Sequence, residues 1–108
     1  MNVRLYLAQR ISALVMVPLV FGHLLVMILA VRNGLTANEI LERTQGSIGW
    51  ALFYGIFVVA VAVHASIGLR SIIAEWAGWR GAGLNVLVAV IGFVLLALGL
   101  RAVYAVVT

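Results

Sequence analysis

Three long apolar stretches constrain this chain more than any other feature of its sequence. They cover residues 11–31, 48–69 and 84–107, and each holds the ~20 residues that a helix needs to cross a hydrocarbon layer of ~30 Å. The first two contain no charged residue, and the third contains only Arg101. Hydrophobic residues make up 66% of the chain and charged residues 9%, whereas soluble domains carry roughly a quarter charged residues. We therefore predict an all-α integral membrane protein, a three-transmembrane-helix bundle in a single domain over residues 1–108.

The segment between the first two spans predicts a short fourth helix. Thr36 and Glu39 have the spacing of a capping box, in which a hydroxyl and a carboxylate satisfy the first amides of a helix. Gly46 follows as a stop signal. We expect an interfacial helix over residues 37–45. The first apolar stretch is too long for a signal peptide, so we interpret it as a retained span.

The basic residues, all arginine, predict how the chain lies across the membrane. Short cytoplasmic loops collect Lys and Arg. On one predicted side lie Arg4, Arg10, Arg70 and Arg80, and on the other lie Arg32 and Arg43, with Arg101 close to the second side. This bias favours an inner (cytoplasmic) membrane protein with a cytoplasmic N-terminus. In a membrane protein the positive charge indicates how the chain is oriented across the membrane, and we expect no nucleic-acid partner.

The residue types exclude several kinds of chemistry. The chain has no cysteine, so it can supply no disulfide, thiolate metal site or iron–sulfur ligand. It also shows no nucleophile paired with a base, no carboxylate pair and no phosphate-binding loop. We therefore expect no stand-alone catalysis, and any reaction would use the chemistry of a bound cofactor.

The two histidines of the chain, His23 and His64, both fall inside predicted spans. An ionisable side chain in hydrocarbon is costly and suggests a functional site. Ala60 and Gly68 lie one helical turn before and after His64, and small neighbours leave room for a flat macrocycle. This pattern favours haem ligation by neutral imidazole. Two alternatives stay open: a hydrogen bond to a neighbouring helix, worth ~0.6 kcal/mol, or a proton relay in a haem-free transport or accessory subunit.

The depths of the two histidines argue against one shared iron. If residues 11 and 70 mark the same membrane face, His23 lies ~18 Å deep and His64 ~9 Å deep at 1.5 Å per residue. Two axial nitrogens on one metal are only about 4 Å apart. We therefore predict two haems in the assembled membrane domain, each taking its second ligand from another subunit.

A family resemblance adds to this interpretation. His64, Gly68, Arg70 and Glu75 reproduce the H-x-x-x-G-x-R-x-x-x-x-[DE] pattern of cytochrome b membrane-anchor subunits of succinate dehydrogenase and fumarate reductase. The QRISA segment at 9–13 resembles the H-R-[IV]-S-G entry to the first helix of that family, with glutamine in place of the histidine.

The resemblance implies a haem b-binding anchor of succinate dehydrogenase, a succinate:quinone oxidoreductase of the tricarboxylic acid cycle. Such an anchor docks a flavoprotein subunit and an iron–sulfur subunit, and it passes electrons to quinone. It is surrounded by lipid and pairs with a second membrane anchor, either a related chain or another copy. A fumarate reductase anchor is the alternative, and the sequence does not decide the direction. A hydrogenase or formate dehydrogenase anchor is a third possibility, against which the Arg70 and Glu75 spacing speaks.

The same resemblance implies cofactor contacts. His64 resembles the axial ligand nearer the cytoplasmic side, and the FGHLL segment around His23 resembles the two-haem branch of the family. Arg10 resembles a residue near the haem propionates and quinone, and Arg70 one that faces propionates or quinone. Gly68, the glycine of the same pattern, is also expected to contact the cofactor.

The expected quinone contacts are Tyr6, Arg10, Ser12 and Trp76. Of these, Tyr6 stands where the family often has a serine. Glu75 is expected to relay protons or, more simply, to pair with Arg70 or Arg80. Arg32 and Arg101 are expected either to bind an outer propionate or to extend to the interface.

Overall fold

The computed structural model describes residues 3–108, which form four helices and no strand. They are α1 (Val3–Arg32), α2 (Ala37–Thr44), α3 (Ile48–Trp76) and α4 (Ala82–Val107). The three long helices are each long and apolar enough to cross a membrane. This confirms the predicted all-α class and its three spanning helices.

The long helices continue past the apolar stretches that define the spans. α1 begins at Val3 and contains Arg4 and Arg10, and α3 ends at Trp76, beyond Arg70. Long basic side chains extend from such helix ends toward the headgroups, so the backbone can stay helical outside the hydrocarbon. α1 also continues through Pro18.

The short helix α2 lies where the capping pattern predicts a helix. The Thr36 hydroxyl accepts a hydrogen bond from the Glu39 amide at 3.1 Å. The Glu39 carboxylate does not return to the cap; it pairs with Arg43 one turn later and accepts a hydrogen bond from the Asn33 side chain at 3.2 Å. One half of the capping box therefore forms, and an ion pair along the helix replaces the other half. The turn after α2 includes Gly46 at φ 75°, a conformation that favours glycine.

Helix α3 lies between α1 and α4 and contacts both. Its contact with α4 is close at two glycines. A Cβ atom on Gly92 would lie 2.5 Å from Ser66 Oγ, and one on Gly99 would lie 2.5 Å from Val58 Cγ1. A Cβ on Gly55 would meet nothing within 4 Å, so Gly55 makes no close helix contact within the described chain.

Two further features hold α4 against the rest of the chain. Near its turn, Ala74 of α3 packs in a buried cluster with Leu84 and Val88 of α4. At the other end, the fully buried Thr44 donates its hydroxyl hydrogen bond to the Val106 carbonyl at 2.6 Å, and the Gly46 amide donates to Val107 at 2.7 Å. The last carbonyls of a helix lack donors within the helix, so these bonds satisfy them.

Candidate functional site

The packing of α1 on α3 determines how the candidate residues relate to each other. A Cβ on Gly68 would lie 3.4 Å from Gln9 Nε2, and a Cβ on Gly22 would lie 3.1 Å from the Phe53 ring. The two helices therefore run antiparallel, with the start of α1 beside the end of α3. The side chains predicted for quinone and for the inner haem belong to this one end of the bundle.

His23 lies at the opposite end of the α1–α3 interface. Its ring meets the Tyr54 ring at a centroid distance of 6.0 Å and the Phe57 ring at 5.3 Å, both nearly edge to face. His64 follows these two residues by seven to ten positions on α3, which separates the imidazoles by ~10–15 Å along the helix axis. This exceeds the offset of ~9 Å expected from sequence, and it is far larger than the ~4 Å between axial ligands of one metal.

Both imidazoles lack a hydrogen-bond partner within residues 3–108. The Nδ1 atoms of His23 and His64 are buried without a partner, whereas their Nε2 atoms are not among the buried unpartnered atoms. Neither ring donates or accepts a hydrogen bond, so Nε2 is the nitrogen that stays accessible. An unpaired buried polar atom costs ~1–3 kcal/mol and calls for an explanation. A hydrogen bond to a neighbouring helix of the described chain is not that explanation.

Gln9 carries a third orphaned atom at this interface. Its Oε1 is buried without a partner, and its Nε2 is the atom that faces Gly68, one turn beyond His64. In the sequence Gln9 drew attention only as a departure from a family histidine. Its burial in an apolar interface is a tertiary property, and the sequence carried no signal of it.

The small residues around the histidines have a packing role in this structure. Ala60 is buried, Gly68 lies against Gln9, and Gly22 lies against Phe53. These contacts bring α1 and α3 together within one chain, so small size alone no longer argues for a macrocycle. The argument for ligation now depends on the unpartnered imidazoles.

His23 also lines a cavity of about 410 Å³ on one side of α3. Tyr54 and Phe57 line it from α3, and the small Gly99 and Ala102 line it from α4, with α2 closing the end. The cavity walls are mainly apolar. Such an apolar environment suits a flat apolar ligand.

The residues predicted for quinone do not form one cluster. The Arg10 guanidinium lies over the Tyr6 ring, 5.8 Å from its centroid, and both side chains are exposed. Ser12 is buried and donates to the Gln9 carbonyl at 3.0 Å, so its hydroxyl is engaged within α1. Trp76 is exposed at the end of α3. Tyr6 and Arg10 are the pair that the fold presents together.

Arg70 is directed toward α4. Its Nε donates to Asn85 Oδ1 at 2.9 Å, and with Arg4 it lines a groove on that side of α3. The sequence reasoning missed Asn85, although a polar side chain near the start of an apolar helix was a visible signal. Within residues 3–108 the ion pair that forms joins Glu39 and Arg43. Glu75 pairs with neither Arg70 nor Arg80. The expectation of a Glu75 ion pair is therefore wrong.

The remaining candidates lie on the surface. Arg32 and Arg101 are exposed on α1 and α4. Within residues 3–108, no three His, Cys, Asp or Glu side chains come together as a metal site.

Comparison with known protein families gives a match. The family model described as the succinate dehydrogenase/fumarate reductase transmembrane subunit matches residues 1–103, which include α1, α2, α3 and most of α4. Comparisons with curated proteins and with solved structures give no match.

Proposed function

Because the chain belongs to the family of succinate dehydrogenase/fumarate reductase transmembrane subunits, we propose that it is the haem b-binding membrane anchor of a succinate:quinone oxidoreductase. The chain is a multi-pass membrane protein, and its family membership makes it a subunit of an oxidoreductase complex. In this proposal it docks the flavoprotein and iron–sulfur subunits and passes electrons to quinone. The observation that carries the proposal is the pair of unpartnered imidazoles at two levels of the α1–α3 interface.

The two histidines have separate ligand roles in this proposal. His64, near the end where α1 begins, holds an inner haem through its accessible Nε2. His23, ~10–15 Å away along the axis, holds an outer one. Haem b supplies a one-electron carrier between the iron–sulfur subunit and quinone. A second anchor subunit, a related chain or another copy, would supply the other ligand of each haem, since this chain has one histidine at each level.

Quinone binding is proposed at the end of the bundle where α1 begins. Arg10 and Tyr6 are exposed there and carry N–H and O–H donors suited to quinone carbonyl oxygens. Ser12 could join them only if its hydroxyl left the Gln9 carbonyl. Trp76 at the end of α3 offers an aromatic face at the interface. Protons for quinone reduction enter from the adjacent aqueous side.

The proposed orientation follows the arginines. The start of α1 and the end of α3 lie at one end of the bundle, so Arg4, Arg10 and Arg70 belong to one membrane face. Basic residues collect on the cytoplasmic side. We therefore place the N-terminus in the cytoplasm and the chain in the inner (cytoplasmic) membrane.

Of two alternatives, a haem-free relay is less well supported, and a fumarate reductase anchor fits the structure equally well. A haem-free histidine relay needs hydrogen-bonded groups between the rings, and within residues 3–108 neither ring makes a hydrogen bond. A fumarate reductase anchor would use the same geometry. Turnover of the whole complex with succinate and with fumarate distinguishes the two directions.

The proposal is tested by counting haems in the purified complex with His23→Ala and His64→Ala. Each variant should lose one haem and keep the other, seen as a halved Soret band and the loss of one set of EPR signals. Ser66→Ala is the matched control. Ser66 is a polar side chain of α3, the helix that contains His64, and its hydroxyl already donates to the Ala62 carbonyl at 2.6 Å.

A wild-type complex without a Soret band would overturn the haem proposal. An unchanged haem count in His23→Ala would limit the assembly to one haem.

A further inference from the structure

A groove on the side of α3 away from the His23 cavity combines a positive end with an apolar length. It has a volume of about 640 Å³ and lies between α3 and α4, with the start of α1 at one end. Arg4, Arg70 and Asn85 line that end. Beyond them the walls are almost entirely apolar, as at Ile67, Ala89 and Phe93.

The polar end has no internal counter-anion. Arg4 and Arg70 pair with no carboxylate, since the ion pair found in residues 3–108 lies in α2. Asn85 instead accepts a hydrogen bond from Arg70 Nε, which orients the guanidinium and leaves its terminal nitrogens available. The same end adjoins the start of α4, where no side chain caps the helix. The positive end of the helix dipole adds to the arginine charges, and guanidinium groups bind phosphate in a bidentate manner.

The apolar part of the groove matches one leaflet in length. On α3 it extends from Arg70 to Val59, and on α4 from Asn85 to Leu96. At 1.5 Å per residue each edge is ~16 Å long. This is about half of the ~30 Å hydrocarbon core. A free phosphate ion would use the charged end and gain nothing from the rest.

We propose that this groove binds an anionic phospholipid. The phosphate lies between Arg4 and Arg70, and one acyl chain runs along α3 and α4 past Gly92. Basic pockets between membrane helices on the cytoplasmic side have the charge that selects anionic headgroups. The bound lipid joins the start of α1 to α4, two helices that make little contact with each other within residues 3–108. Lipid binding does not depend on haem content.

The test measures lipid retained by the purified complex after delipidation and titration, by native mass spectrometry. The probes are phosphatidylglycerol and phosphatidylcholine with identical acyl chains. The wild-type complex should bind phosphatidylglycerol at least tenfold more tightly, and Arg4→Gln with Arg70→Gln should remove this preference. Arg32→Gln, at the opposite end of α1, is the control and should change nothing. Ala89→Leu fills the apolar part while keeping the charges, and should weaken binding of both lipids.

Several outcomes would overturn the proposal. Unchanged phosphatidylglycerol binding in the double arginine variant would show that the arginines do not bind the phosphate. Unchanged binding in Ala89→Leu would show that no acyl chain lies in the groove. Displacement of phosphatidylglycerol by millimolar inorganic phosphate alone would reduce the groove to an anion site. Competitive displacement by a quinone would assign it to the quinone. If the double arginine variant fails to assemble, Ala89→Leu decides.

Discussion

The two sides of α3 differ in how completely they are satisfied. Against α4, the backbone comes close at Gly92 and Gly99, and no side chain of α4 has a buried polar atom without a partner. Against α1, three buried polar atoms lack partners, on Gln9, His23 and His64. The side of α3 that faces α4 therefore packs closely, whereas the α1–α3 interface leaves hydrogen-bonding atoms unpaired. Polar atoms left unpaired at one interface are where a partner or cofactor can contribute binding energy.

The largest effect on this contrast is expected from Gly99→Ala. The added Cβ would lie 2.5 Å from Val58 Cγ1, so the hairpin must shift, and overpacking of this kind costs up to about 3 kcal/mol of unfolding free energy. Gly55→Ala is the matched control, since its Cβ meets nothing within 4 Å. Thermal unfolding of the detergent-solubilised chain measures both. Equal stabilities of the two variants would contradict the close packing of α3 on α4.

A smaller loss is expected from Thr44→Val. The change removes the hydroxyl that donates to the Val106 carbonyl in a fully buried position, and leaving that acceptor unpaired costs about 1–2 kcal/mol. Thr108→Val removes a similar hydroxyl from an exposed site, where water replaces it. Denaturation of the two variants should separate them. If Thr108→Val is as damaging, the attachment of α2 to α4 is not what holds this end.

The smallest change in stability is expected from Arg10→Ala on the other side of α3. This exposed residue makes a cation–π contact with the Tyr6 ring, which is worth ~0.5–1 kcal/mol. We expect quinone reduction by the complex to fall while the haem count stays unchanged. Arg32→Ala, on the same helix at its other end, should leave quinone kinetics intact. Normal quinone reduction in Arg10→Ala would show that Arg10 is not part of the quinone site. The α1 side of α3 would then have less claim to a functional role.

Sequence reasoning was strongest where a property depends on neighbours along the chain. The apolar length of the spans and the Thr36 cap are local, and the structure contains the corresponding helices. It was weaker for residues whose partners lie on another helix. The ion pair expected for Glu75 does not form, and Arg70 turns to Asn85. The direction of a long side chain at a helix end depends on how that helix is rotated against its neighbours, which the sequence does not state.

By itself the sequence determined the membrane class, the number of spanning helices and the two histidines as the polar residues that need an explanation. Hydrophobic transfer and helix length are properties of each segment alone, so no tertiary contact was needed. Only the tertiary structure decided that Gly68 packs on Gln9, that His23 and His64 lie ~10–15 Å apart, and that both rings lack a partner. Those facts depend on the register between α1 and α3, which side-chain packing fixes and no single helix contains.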